Sequence, residues 1–211
     1  MPDGPDSPNA PVPAGARRVA DLAAAAANCQ ACELWRDATQ TVFGDGPDRS
    51  RVILVGEQPG DDEDRVGEPF VGPAGRVLDQ ALEAAGIDRR QTYVTNAVKH
   101  FRWEARGKRR IHKRPGVGHI RACRPWLDAE IAVLGPEVVV CMGATAAQAL
   151  LGREFRVTRD HGQFVEAEGG YLVTATVHPS SILRASDADA RQAQMDVLVN
   201  DLAAVAAYLA R

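Results

Sequence analysis

Long hydrophobic runs and an overall basic charge are both missing from this sequence of 211 residues. No apolar run reaches the roughly 18 residues that a membrane-spanning helix needs, so we expect no membrane partner. The first 16 residues lack the basic segment followed by an apolar segment that marks a secretory signal. Their frequent prolines are typical of a disordered tail, which we predict at residues 1–16. We therefore expect a cytoplasmic protein, and a monomer.

The net charge of −3 excludes a chain that binds nucleic acid through a generally basic surface. Residues 99–114 depart from this balance, because they contain eight Lys or Arg and a single acidic residue, Glu104. A local basic stretch on an acidic protein suggests a site that faces phosphate. The alternative is a solvated loop without a ligand.

Short apolar runs rich in β-branched residues alternate with segments of helical spacing. The apolar runs predict strands at residues 51–55, 92–97, 137–142 and 171–177. The helical spacing predicts helices at residues 17–28, 74–85, 117–134, 144–151 and 188–211. This alternation predicts an α/β fold, a three-layer α/β/α sandwich with a mostly parallel four-stranded central sheet. We expect one domain over residues 17–211, with a basic insert at about 100–116.

Ligands of such sheets bind outside the carboxyl ends of the strands. The predicted strands end in polar segments that begin at Gly56, Asn96, Gly143 and His178. Three of these segments carry groups suited to chemistry on a small ligand.

The four cysteines require an explanation, because an intracellular chain rarely forms disulfides. Cys29 and Cys32 form a C-x2-C pair, whereas Cys123 and Cys141 stand alone. Four thiolates can hold a 4Fe-4S cluster or a structural zinc ion. Spacing alone does not decide between a cluster, zinc, and free cysteines with a chance pair.

The motifs C-x2-C, GE-x-PG, PFVGPAG, TN-x-VK and HPS occur in this order, with the two single cysteines before the last. This order resembles the iron–sulfur uracil-DNA glycosylases known as family 4, from about residue 20 to the C-terminus. The resemblance implies an α/β/α fold, excision of uracil from DNA, and a structural 4Fe-4S cluster on all four cysteines.

Two departures from the family pattern resemble the UdgX branch. Gln58 stands where family 4 typically has alanine, and the insert contains the segment KRRIH at residues 108–112. In that branch the histidine of the segment, here His112, bonds covalently to the deoxyribose after uracil leaves. The positive charges of the insert are expected to disfavour protonation of His112.

The chemistry of uracil excision suggests a role for each motif residue. Glu57 would face the positive charge that develops on the sugar, and His178 would donate a hydrogen bond to a uracil carbonyl oxygen. The Asn96 amide would pair with O4 and N3–H of uracil, and Phe70 would stack on the flipped base. Further residues would line the pocket, namely Gln58, Gly60 and Asp61. The DNA contacts would come from Lys108, Arg109, Arg110, Ser180 and Ser181. Arg110 would also brace the insert.

The expected partner is uracil-containing DNA, with single strands accepted. Three other functions stay open. The protein could be an ordinary family 4 glycosylase that hydrolyses and turns over, a catalytically silent binder of uracil-containing DNA, or a zinc-stabilised nucleic-acid module.

Overall fold

A computed structural model describes residues 10–211 of the chain. The predicted tail at residues 1–16 therefore lies largely outside the described residues. Within residues 10–16, Ala10 is buried, and Val12 and Ala16 pack against the same core cluster. The packed part of the chain thus begins before residue 17.

Eight α-helices and seven strands follow one another along the described residues. The helices are α1 (Val19–Ala26), α2 (Asp61–Val66), α3 (Pro73–Ala84), α4 (Val117–Leu134), α5 (Ala144–Leu151), α6 (Val157–Asp160), α7 (Pro179–Leu183) and α8 (Ala188–Leu209). The strands are β1 (Val52–Gly56), β2 (Thr92–Asn96), β3 (Trp103–Arg106), β4 (Arg109–His112), β5 (Val138–Met142), β6 (Val165–Glu166) and β7 (Leu172–Thr176). Short 3-10 helices lie at Glu33–Arg36 and Arg89–Gln91.

The central sheet has the strand order β2-β1-β5-β7-β6. Its first four strands are parallel and correspond to the four predicted strands. The two-residue strand β6 adds an antiparallel edge that the sequence analysis did not predict. Strands β1, β2 and β5 are buried at every position, as is usual where helices cover both faces of a parallel sheet.

Alternate residues of the strands pack into two separate clusters, one on each face of the sheet. Ile53 and Val139 face the cluster that includes residues of α1, α4 and α5. Leu54 and Val140 face the cluster that includes residues of α3, α7 and α8. The predicted three-layer α/β/α arrangement is therefore confirmed. None of the described helices combines the length and apolar character needed to cross a bilayer.

The basic insert forms a two-stranded antiparallel hairpin, in which β3 pairs with β4. In its register Trp103 lies opposite His112, and Arg106 lies opposite Arg109. Gly107 supplies the positive φ of 62° that the turn requires. The hairpin connects β2 with α4 and so starts at the carboxyl edge of the sheet, where ligands of parallel sheets bind.

Candidate active site

Two adjoining cavities open at the carboxyl ends of the parallel strands. The smaller has a volume of 190 Å³ and the larger 470 Å³. Both are lined by Gln58, His112, His178, Ser180 and Arg184. Side chains from four separate segments of the sequence therefore meet at one place, as the strand ends predicted.

Asn96 and Phe70 lie side by side in the smaller cavity. Asn96 ends β2 and is only 3% exposed. A Cβ atom at Gly56, on the neighbouring strand, would overlap both the Asn96 amide oxygen and the Phe70 ring. Phe70 has a positive φ of 60°, and a Cβ atom at Gly75 would overlap its carbonyl oxygen. The two glycines therefore make room for the amide and the ring.

His178 precedes α7, and its ring lies beside the Phe70 ring with 6.3 Å between centroids. Its Nδ1 accepts a hydrogen bond of 3.1 Å from the backbone N–H of Ser180. An accepting Nδ1 carries no proton, so the proton of the neutral ring is on Nε2. Burial, with smaller effects of Arg184 and His112, lowers the pKa of His178 to about 4. At neutral pH His178 is therefore an uncharged donor through Nε2.

Glu57 follows β1 directly and reaches the larger cavity. Its Oε2 accepts a hydrogen bond from the buried hydroxyl of Thr145. Arg114 Nε donates to the same hydroxyl at 3.1 Å, so that Thr145 accepts from arginine and donates to the carboxylate. The other carboxylate oxygen, Oε1, lies 3.5 Å from Nε2 of His112. The carboxylate is thus held between a fixed hydroxyl and an imidazole.

Gln58 holds the two ends of the hairpin together. Its Nε2 donates to the carbonyl oxygens of Arg102 and Lys113, both at 3.1 Å. Its Oε1 accepts from the backbone N–H of Arg102 at 3.2 Å. Gln58 lines the pocket as predicted, but these contacts give it a second role in fixing the base of the insert.

Arg110 points toward the domain, and its side chain is only 14% exposed. The guanidinium donates to Asp61 and, at 2.6 Å, to the fully buried Asp64. Its charge also lies over the rings of Phe101 and Trp103, 5.4 and 5.5 Å from their centroids. This position fits the bracing role predicted for Arg110, whereas the predicted phosphate contact does not fit, because the guanidinium is engaged by two carboxylates. Asp61 was predicted to line the pocket but lines neither cavity, and it binds Arg110 of the insert instead.

His112 is the last residue of β4 and is half-exposed at the mouth of both cavities. Burial lowers its pKa, Glu57 acts in the opposite direction, and Arg184 adds to the lowering. The expected direction of the shift therefore holds. The cause is different from the predicted one. Burial and Arg184, which lies outside the insert, lower the pKa of His112, whereas the prediction attributed the lowering to the cations of the insert.

Residues 43–203 match the family described as the Uracil DNA glycosylase superfamily. The chain belongs to the uracil-DNA glycosylase superfamily. It is 36% identical over 157 residues to a type-4 uracil-DNA glycosylase of Thermotoga maritima, covering 74% of this chain and 78% of that protein. Type-4 uracil-DNA glycosylases of Sulfurisphaera tokodaii and Archaeoglobus fulgidus are 32% and 33% identical, over 74% of this chain and 71% and 78% of theirs.

The remaining residues proposed for DNA contact differ in whether their side chains are exposed or already bonded to other residues of this superfamily member. Lys108 and Arg109 are exposed at the turn of the hairpin. The Ser180 hydroxyl lies 2.8 Å from Nδ1 of His178 and accepts from Arg184 at 3.0 Å. The Ser181 hydroxyl is 2.8 Å from Gln194 of α8. The two serines thus orient α7 and its histidine, and a phosphate contact for them stays a prediction.

Three of the four cysteines lie near one another in this superfamily member. Burial raises the pKa of Cys123 to about 12, with smaller raising effects from Cys32 and Cys29. Two N–H groups point at these sulfur atoms, since Lys99 N lies 3.2 Å from Cys123 Sγ and Trp126 Nε1 lies 3.3 Å from Cys29 Sγ. N–H donors to sulfur are typical of thiolate-bound clusters.

Cys141 lies in the same core cluster as Cys29 and Cys123, on the same face of the sheet. It belongs to β5, where its backbone is paired with Val55 on one side and Ala175 on the other, and it is fully buried in the sheet. Within residues 10–211, no group of three or more His, Cys, Asp or Glu side chains is arranged to hold a metal ion. The 4Fe-4S cluster on all four cysteines therefore stays a prediction, which their place in one core cluster supports.

Several residues of the site were missed by the sequence analysis. Thr145 and Arg114 hold Glu57, and Arg184 lines both cavities. Lys99 and Glu130 form a buried ion pair with 2.5 Å between Nζ and Oε2. Lys99 Nζ also donates to the Asn96 carbonyl oxygen at 2.9 Å, so the pair lies next to Asn96. Only Lys99 stood in a recognised motif, TN-x-VK. The others are common residue types whose role depends on long-range contacts.

Proposed function

We propose that this protein excises uracil from DNA and is then joined covalently, through His112, to the abasic deoxyribose. Membership of the superfamily and the likeness to type-4 uracil-DNA glycosylases support the excision. The observation that carries the covalent step is the position of His112 Nε2, 3.5 Å from the Glu57 carboxylate at the mouth of the cavity that Asn96 lines.

In the first step the bond between C1′ and uracil N1 breaks, and its electron pair leaves with the base. The neutral His178 donates through Nε2 to a uracil carbonyl oxygen as negative charge develops there. The Glu57 carboxylate stabilises the positive charge that develops on the sugar. Asn96 selects uracil, because its amide offers a donor to O4 and an acceptor to N3–H.

In the second step a ring nitrogen of His112 gives its electron pair to C1′. The positive charge moves from the sugar to the imidazole ring, beside the Glu57 carboxylate, and the uracil anion takes a proton from water. The imidazole is a competent nucleophile because it is neutral. Gln58 and Arg110 fix the hairpin, so His112 acts at a high effective concentration and competes with water.

The cluster predicted by the family resemblance takes no part in these steps. Cys29, Cys32, Cys123 and Cys141 would contribute the ligands, and their place in the core cluster beside α1 and α4 supports a structural role. Lys108 and Arg109, at the exposed turn of the hairpin, would contact DNA phosphates. We propose that single-stranded DNA is accepted.

A denaturing gel tests the covalent step. The parent protein, incubated with a labelled uracil-containing oligonucleotide, should give a band that keeps its lower mobility in denaturant. A His112→Ser variant should lose this band but still release uracil, since Glu57, Asn96 and His178 remain. Undiminished cross-linking by that variant would show that another nucleophile acts.

Hydrolysis with turnover is the second candidate, and the type-4 names of the relatives favour it. Glu57, held by Thr145, could equally position a water molecule. Free uracil counted per protein distinguishes the two candidates, because the covalent reaction stops at one uracil and the hydrolytic reaction does not.

A further inference from the structure

A groove on the far side of α7 from the uracil cavity has a strongly basic rim. It has a volume of 520 Å³ and lies between α3, α7 and α8. Its apolar part is formed by Val77, Ile182 and Met195, together with Leu183, which is 44% exposed. We call this the α7 groove.

Two arginines, Arg76 of α3 and Arg191 of α8, line the α7 groove and are exposed. No Asp or Glu is among its described lining residues. None of the ion pairs found within residues 10–211 includes either arginine. The groove therefore presents two positive charges that the protein itself does not neutralise.

The α7 groove and the uracil cavity lie against the same short helix. His178 precedes α7 and faces the cavity, whereas Ile182 and Leu183 at the other end of the helix line the groove. Five helical residues span only about 8 Å, so the groove is close to the cavity. The Ser181 hydroxyl fixes α7 to Gln194 of α8, so the cavity and the groove are held as one surface.

We propose that the α7 groove binds the DNA strand on one side of the uracil, with Arg76 and Arg191 on its phosphates. Apolar side chains between cations are the arrangement that binds unstacked bases and their backbone in single-stranded DNA. An acidic peptide would also meet the two charges, but the position of the groove next to the uracil cavity favours DNA. The proposal rests on the proposed action on uracil in DNA and does not depend on the covalent step at His112.

Binding can be measured without reaction by using single-stranded oligonucleotides that contain 2′-fluoro-2′-deoxyuridine, because the fluorine disfavours the sugar cation. The dissociation constant is measured over a range of salt concentrations. Each of Arg76→Gln and Arg191→Gln should weaken binding and lower the slope of log Kd against log salt by about 0.7, the value for one phosphate on a single strand. The control is Arg49→Gln, an exposed arginine that precedes β1 at the opposite edge of the sheet and should change neither quantity.

Truncated oligonucleotides then locate the contact. If the groove binds one side of the strand, removing the nucleotides on that side should make the parent and the Arg76→Gln/Arg191→Gln double variant bind equally. Truncation on the other side should leave their difference intact. The proposal would be overturned if the arginine variants kept the salt slope of the parent. It would also be overturned if the parent and the double variant differed equally on every truncated oligonucleotide. An acidic peptide that binds the parent in preference to the oligonucleotide would overturn it as well.

Excision of uracil by the parent is followed separately on unmodified oligonucleotides. Absent excision together with the expected salt slopes would reject the proposed function and keep the groove as a DNA-binding surface. Normal excision with unchanged salt slopes would keep the proposed function and reject the α7 groove as a DNA-binding surface.

Discussion

Arg110 Nη1 lies 2.6 Å from the carboxylate of Asp64, although the two residues are 46 positions apart in the sequence. This ion pair fastens the strand that ends in His112 to α2, the helix after the Glu57 loop. Asp64 is fully buried and accepts from the backbone N–H of Thr39 as well. The position of the proposed nucleophile therefore depends on a cation two residues before it.

Replacement of Arg110 by alanine should reduce cross-linking far more than it reduces uracil release. The hairpin loses its brace, and a shift of about 1 Å at a reacting atom costs on the order of 10²-fold in rate. The uncompensated Asp64 carboxylate should also lower the free energy of unfolding by about 3 kcal/mol. Single-turnover gels, free-uracil assays and urea unfolding measure the three effects.

Arg109→Ala is the matched control, because Arg109 is the neighbouring residue and is exposed. It should leave the free energy of unfolding within about 0.5 kcal/mol of the parent value. Equal losses of cross-linking and of uracil release in Arg110→Ala would mean that the arginine supports the whole site and not the hairpin in particular.

Replacement of Thr145 by valine removes the hydroxyl that donates to Glu57 and keeps the side-chain shape. The carboxylate should then be less well oriented toward the sugar, and Arg114 should lose its partner at Thr145. Uracil release should slow by about 10-fold, less than the 10²- to 10³-fold typical when a stabilising charge or donor is itself removed, as in Glu57→Gln. Rates of release for the two variants, compared in one assay, check this order.

The sequence predicted those parts of the fold and site that depend on local patterns. The runs of residues 51–55 and 137–142 are apolar at nearly every position, and buried parallel strands require this. Glu57 and His178 were found because they follow predicted strands and stand in recognisable motifs. The parallel order of the strands then brings them together.

The parts that escaped prediction are those that depend on distant contacts. Half of the positions in the exposed or half-exposed strands β3 and β4 are charged, so the sequence indicated a basic loop instead of a hairpin. Arg114 and Thr145 are 31 positions apart and meet only after folding.

The pH dependence should reflect two histidines that are neutral in the folded protein. Burial lowers the pKa of both His178, to about 4, and His112. Since each ring acts in its neutral form, cross-linking should stay constant as the pH falls through 6.5, the usual histidine value, and decline only below it. Single-turnover rates measured from about pH 8 to pH 4.5 check this, and a midpoint at or above 6.5 would contradict it.

The same shift predicts how stability depends on pH. Between pH 6.5 and about 4 the unfolded chain binds a proton at position 178 that the folded chain does not bind. The folded state should therefore lose stability as the pH falls through this window. In His178→Gln this contribution is absent, so urea midpoints of the parent and the variant should converge as the pH is lowered.

All four cysteines should contribute to one iron–sulfur cluster. Cys123→Ser and Cys141→Ser should each lower the iron content and the stability, because both residues lie in the core cluster with Cys29 and ligation contributes to folding. Each variant should also lose absorbance at about 400 nm, which is expected of thiolate-bound clusters. Iron analysis of both variants decides this, and stoichiometric zinc without iron in the parent would contradict it.

Replacement of Gln58 by alanine should release the base of the hairpin. The variant loses the three hydrogen bonds that join Gln58 to Arg102 and Lys113, while Glu57, Asn96 and His178 keep their contacts. His112 should then spend less time at the sugar, so that water competes for the cation.

We expect a fainter cross-linked band for Gln58→Ala and more than one free uracil per protein. Gln58→Glu provides a matched comparison, because it keeps an acceptor for the Arg102 N–H but loses the Nε2 donor to both carbonyl oxygens. Because its second carboxylate oxygen would face both carbonyl oxygens and repel them, it should lose the cross-linked band at least as fully as the alanine variant. A Gln58→Ala protein that still stops at one uracil, with an undiminished band, would show that Arg110 alone holds the hairpin in place.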